Sequence, residues 1–199
     1  MPIKDRIVRL DRVPAGEIVI SRVHASITYP CRLTLIAAMN PCPCGFYGSA
    51  QCTCHDRDVA AYHKKLSGPL LDRIDLQVEL ARLSTDERFA DSEREQTPKL
   101  RERVERARSI QHKRFEGTNI PRNAAIPGGA VREYCRFSPD GFEAYKKLIG
   151  EHVLSIRSTD RLAKVSRTAA DLQGADSVEP EHVRKAATFV VGGVLRNAF

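Results

Sequence analysis

Four cysteines stand as two C-x-C pairs, Cys42-Pro43-Cys44 and Cys52-Thr53-Cys54, with seven residues between the pairs, Gly45 and Gly48 among them. Within a pair the side chains are too close for an easy disulfide. Folded across a glycine-containing turn, the four thiolates could instead surround a tetrahedral Zn2+. Zinc pairs usually leave about two to four residues between ligands. One intervening residue is tight, so a loop of metal-free thiols remains the alternative. His55 and His63 are near enough in sequence to replace a ligand, although a lone histidine beside a helix is ordinarily a surface residue. Cys31 and Cys135 have no such neighbours and are expected in the core.

A second chemical signal is Arg73, within the run LSGPLLDRID at residues 66–75. Placed just before a strand, an arginine could be offered at a domain edge. It could equally pair with Asp72 or Asp75. Basic charge is also concentrated: of a net +7, residues 93–136 carry eleven Lys and Arg against six Asp and Glu. Such a stripe suits nucleic acid. The competing reading is a solvated helix face of mixed sign, as RERVER at residues 101–106 suggests.

These groups need elements to position them. Residues 18–20 (IVI) and 25–29 (ASITY) are β-prone runs around a polar turn at residues 22–24, which predicts a hairpin. Residues 33–39 (LTLIAAM) read as a strand buried on both faces. Residues 74–80 (IDLQVEL) alternate and read as a further strand, with a helix at 58–66 between them. Residues 84–98 are polar and aperiodic and read as a linker. Beyond it the spacing is helical: residues 99–115 carry apolar side chains at 100, 104, 107 and 110. Residues 118–129 form a loop. Ser138 with Pro139 predicts an N-cap, followed by Phe142, Tyr145 and Leu148 on one face and a stop at Gly150. Residues 155–172 place Leu162, Val165, Ala169 and Leu172 on one stripe with Gly174 past the end, and a last helix starts near Pro180. The fold class is therefore α/β followed by all-α, divided as 1–83, a linker at 84–98, and a helical domain at 99–199.

Composition limits the function classes. A chain that is 42% hydrophobic and 29% charged suits a folded domain rather than wholesale disorder. No apolar run is long enough to span a bilayer, and residues 1–6 show no leader core. A cytoplasmic protein with reduced cysteines and no membrane partner is expected.

The motifs AAMNPCPCG (residues 37–45), the second cysteine pair and SGPLLDRIDL (residues 67–76) occur in that order. Together they resemble the magnesium-chelatase-like AAA+ ATPases, in particular the group of the competence protein ComM (YifB). The helical half is similar to that group's C-terminal domain at RSIQHKR (108–114), at Asn123 and at LSIRSTDRLAKVSRTAADL (154–172). The resemblance covers roughly residues 16–188.

By position it implies that Asn40 is the sensor 1 residue that orients the attacking water, an amide being both donor and acceptor. It implies that Arg73 is an arginine finger acting on a neighbouring subunit's nucleotide. Arg157 matches sensor 2, a catalytic and nucleotide-contacting position at the start of a lid helix. Arg161 and Lys164 share its face, about 140° from Leu162 at about 100° per residue; an exposed face is expected, with Arg161 as a further nucleotide contact. The hairpin around Arg22 and His24 matches a pore-lining insertion that would meet DNA. The whole protein would be a homo-hexameric ring using ATP and Mg2+ to move on DNA in recombination and transformation.

Departures matter equally. Nothing reads G-x-x-x-x-G-K-[ST], and no apolar strand ends in Asp-Glu, so the phosphate cradle and the Mg2+-binding acids are missing from this sequence. The expectation is a C-terminal portion of such a motor, inactive alone. The alternatives are a magnesium-chelatase subunit for porphyrin metallation, and a non-enzymatic module that binds zinc and nucleic acid. The cysteine loop argues for the ComM side.

Overall fold

The computed structural model describes residues 17–22, 25–31, 34–66, 68–80, 84, 86 and 97–191. The His24 assignment, most of the linker and the apolar tail beyond Val191 lie outside these residues. The chain divides into two compact units, Met1–Cys54 and His55–Phe199.

In the first unit, β1 (Glu17–Arg22) pairs antiparallel with β2 (Ala25–Pro30), with Ile20 opposite Ile27 and Arg22 opposite Ala25. The hairpin read from residues 18–29 is present. It is a two-stranded sheet, and β2 is exposed along its length. Residues 34–39 do not form the buried strand expected from their apolar run: they are irregular, with Ile36 91% exposed. An apolar run becomes a central strand only when neighbours supply a ladder on both edges, and among the described residues none pairs with it. Residues 34–54 otherwise form turns, including two glycines at positive φ, Gly45 (79°) and Gly48 (78°).

The second unit is helical. It runs α1 (Asp56–His63), α2 (Gly68–Leu71), α3 (Thr97–Arg114), α4 (Val131–Cys135), α5 (Pro139–Glu151), α6 (Ile156–Gln173) and α7 (Pro180–Val190). Residues 74–80, expected as a strand, are irregular, and Leu76, Val78 and Leu80 are exposed. The Gln77 amide donates to Phe189 O at 3.0 Å, satisfying a carbonyl in the last turn of α7.

The Ser138 cap and the Gly174 stop read from sequence are present, and Ser155 adds a further cap. Ser138 accepts from the Gly141 amide with Pro139 at the first helical position, and Ser155 accepts from the Ser158 amide. Gly174 adopts φ 76° and closes α6. Gly150 does not stop α5, which runs on to Glu151; its lack of a side chain weakens a helix without breaking it. The core gathers Phe115, Ile126, Val131, Cys135, Tyr145, Leu162, Ala170, Val178, Val183 and Val190. Cys135 is thus in the core as expected, whereas Cys31 is half-buried. A parallel bridge between Phe137 and Val178 fastens the start of α5 to the α6–α7 connection.

Candidate functional site

The four cysteines converge. Their sulfurs all lie within 4.8 Å of one another. Cys42 to Cys44 is 3.4 Å, Cys42 to Cys52 is 3.9 Å and Cys44 to Cys52 is 3.7 Å. A disulfide needs about 2.05 Å, so these are thiols. A Zn–S bond of about 2.3 Å sets the tetrahedron edge near 3.8 Å, which the three short separations bracket. The turn explains the convergence: the Gly45 amide returns to Cys42 O at 3.0 Å, and the Cys52 amide to Ser49 O at 3.0 Å.

Electrostatics favour a cation among the four. Hydrogen bonds from the Phe46 and Thr53 backbone hold the Cys44 thiol down at about 5. Cys54 has a bond from the Cys44 backbone favouring its thiolate, yet desolvation and the Cys44 and Cys42 sulfurs push it up to about 12. Cys44 is thus held down while Cys52 and Cys54 are pushed up by the neighbouring sulfurs, and a divalent metal among them would offset that mutual repulsion. The donor set and spacing could hold a metal such as zinc. Among the described residues the group is the four thiols; His55 precedes α1 as its N-cap, and His63 is buried beside the Tyr62 ring.

Asn40 stands two residues before Cys42, exposed. A Cβ added to Gly45 would meet its amide group at 3.7 Å, so its side chain lies against the cysteine turn. Arg22 ends β1, and its side chain lies outside the described residues.

The arginines belong to the second unit. Arg73 follows α2, half-buried, with its amide bonded to Leu70 O at 2.9 Å. Arg157 is the second residue of α6 and is exposed. Arg161 departs from the expected exposed face. It is 6% exposed, and its guanidinium donates to Asp72 O (3.3 Å), Ile74 O and Ser158 Oγ (3.0 Å). A side chain so engaged is not offered to a nucleotide. Lys164 is half-buried and reaches Ala124 O at 3.4 Å.

Two family models match this chain: "Magnesium chelatase, subunit ChlI" over residues 4–88, and "Magnesium chelatase, subunit ChlI C-terminal" over residues 94–189. The chain belongs to the magnesium-chelatase family. Membership implies an AAA+-like fold. Among curated relatives, the competence protein ComM of Haemophilus influenzae is 35% identical over 86% of this chain and 33% of its own length. The uncharacterized protein YifB of Salmonella typhimurium is 35% identical over 89% of this chain and 34% of its own. An uncharacterized Mycobacterium tuberculosis protein is 35% identical over 91% of this chain and 36% of its own. The chain spans about a third of the length of these relatives.

Within this family member the basic stripe divides. Lys99, Arg101, Arg103, Arg106, Arg108 and Lys113 are exposed on α3, and Arg106 pairs with Glu102 at 3.0 Å. Arg114 instead turns inward. It and Arg167 both bond the Asp171 carboxylate, which also accepts from Asn123 Nδ2 at 2.7 Å. Asp171 and Arg167 are fully buried. The buried stripe of α6 is accordingly Ser158, Arg161, Leu162, Ala163, Ser166, Arg167, Ala170 and Asp171, while Leu172 of the expected apolar stripe is 39% exposed. Periodicity of apolar residues alone misses this network. The signal available was the i,i+4 Arg167–Asp171 pair.

Proposed function

We propose that this chain is the sensor, cysteine-loop and lid portion of a ComM-like AAA+ ATPase. Residues 1–83 belong to the P-loop core, 84–98 link, and 99–199 form the lid domain. In the complete protein Asn40 orients the attacking water. Arg73 stabilises charge on a neighbouring subunit's nucleotide, and Arg157 contacts the nucleotide of its own subunit. The ring moves on DNA, which α3 meets through its positive charge and the hairpin meets at Arg22 and His24. A zinc ion on Cys42, Cys44, Cys52 and Cys54 would supply structural cross-linking and no redox chemistry.

The observation that carries this reading is the four-sulfur cage set two residues after Asn40. It ties a metal-stabilised turn to the place where the resemblance puts a catalytic amide. The test is a chimera in which residues 4–189 replace the matching third of the ComM relative. Arg73→Ala should abolish ATP turnover and leave nucleotide binding intact; retained turnover refutes the assignment.

A second reading, a non-catalytic zinc and nucleic-acid module, is favoured by one fact: the cage closes within residues 42–54 and needs no phosphate loop. The two readings share DNA binding. On the isolated chain, anisotropy with a short DNA should show log K falling by about 0.9 per neutralised phosphate with log salt. Affinity independent of salt refutes both.

A further inference from the structure

Arg161 is a cation removed from water, which is tolerated only where protein groups replace its hydration. The replacements here are the carbonyls of Asp72 and Ile74 and the Ser158 hydroxyl. The two carbonyls flank Arg73, and both bond the same nitrogen, Nη1, from 89 and 87 residues away. The backbone at Arg73 also carries two bonds of its own turn, Arg73 N–H to Leu70 O at 2.9 Å and Ile74 N–H to Leu71 O at 3.2 Å. A planar guanidinium fixes direction as well as distance.

The other end of Arg161 is equally engaged. Nη2 meets Ser158 Oγ, which bonds Ser155 Oγ at 3.1 Å, and Ser155 caps the Ser158 amide. These residues form the first turn of α6, the turn that carries Arg157. One buried side chain therefore spans from that turn to the peptide units on both sides of Arg73. The span also crosses from the residues matched by the first family model to those matched by the second.

We infer that Arg161 is a positioning residue that locks Arg73 to the first turn of α6, so that Arg73 and Arg157 move as one body. The functional weight of this rests on the reading of Arg73 and Arg157 given above. In a ring where Arg157 meets its own subunit's nucleotide and Arg73 the neighbour's, the lock lets occupancy at one site set the aim of the arginine at the next.

The test is amide hydrogen exchange on the 199-residue chain, which requires no nucleotide. It can therefore fail or succeed independently of the finger assignment. Arg161→Gln should speed exchange at the Arg73 and Ile74 amides by about tenfold or more relative to amides of α5 and α7. Arg161→Lys, which keeps a donor but loses the fork, should give a smaller rise. Ser155→Ala, which loosens the first turn of α6, should raise exchange at Arg73 and Ile74 in the wild-type background. It should add nothing there once Arg161 is Gln. Unchanged exchange at residues 73 and 74 in both Arg161 variants overturns the inference. So does a uniform rise through α5–α7, or a Ser155→Ala effect that persists undiminished in the Arg161→Gln background.

Discussion

Asp171 is the position where removing one charge should be felt most in the fold. Its carboxylate is fully buried and is shared by Arg114, with a side chain 8% exposed, and Arg167, at 0%. Asp171→Asn keeps the volume but leaves two guanidinium groups facing a neutral amide, whose NH2 must oppose a donor. Breaking a buried pair by neutralising one partner costs about 3–5 kcal/mol, and here the lower figure is a floor because two cations lose their partner. For a body the size of the unit His55–Phe199, each kcal/mol lowers Tm by about 2–4 °C. The expected fall is at least about 6 °C, read by circular dichroism during thermal unfolding. Glu102→Ala is the control, since the Glu102–Arg106 pair is 72% and 66% exposed. It should change stability by about 0–1 kcal/mol. A fall of less than about 3 °C for Asp171→Asn would refute the reasoning, because it would mean that water or a counterion already reaches the network.

Three further outcomes follow from the structure. Gly141→Ala should destabilise by about 1–3 kcal/mol in urea denaturation, although alanine is the better helix former, because its Cβ would fall 1.9 Å from Val178 O. His182 accepts the Glu179 amide at Nδ1 (2.9 Å) and meets Gln173 at Nε2, and burial holds its pKa below 6.5. The unfolded chain therefore takes up the proton first as pH falls. Stability should decline below about pH 6.5 down to the depressed native value, and His182→Gln should flatten that slope. Protein purified without chelator should contain one zinc per chain by elemental analysis, and Cys42→Ser with Cys44→Ser should release it; four freely titratable thiols in the native protein would count against the cage.

Much of the helical half is legible because its ends are written in local chemistry: Ser138 with Pro139, Ser155, Gly174 and Pro180 each act within a turn or two of where they stand. The cysteine cage is legible for the same reason, since its ligands are close in sequence. The two expected strands at residues 33–39 and 74–80 depend on partners far along the chain, and alternation alone states only which face would be buried if a ladder existed. The orientation of α6 was obscured by the rule that arginine lies outside. Arg161 and Arg167 are inside, Arg161 bonded to two carbonyls and the Ser158 hydroxyl and Arg167 to carbonyls and Asp171. Nothing in the residue type announces which arginine will be so satisfied.

The closeness of the four cysteines also bears on the order of assembly. All ligands fall between Cys42 and Cys54, and a loop of about ten residues closes in about 10–100 ns. Its closure entropy is small because the cost grows with loop length. The Arg114–Asp171 pair, by contrast, joins residues 57 positions apart, and such non-local contacts form late. A cage of this kind could therefore gather a metal as soon as residues 42–54 have left the ribosome, before the helical core exists, with Asn40 beside it while the rest of the chain is still being arranged.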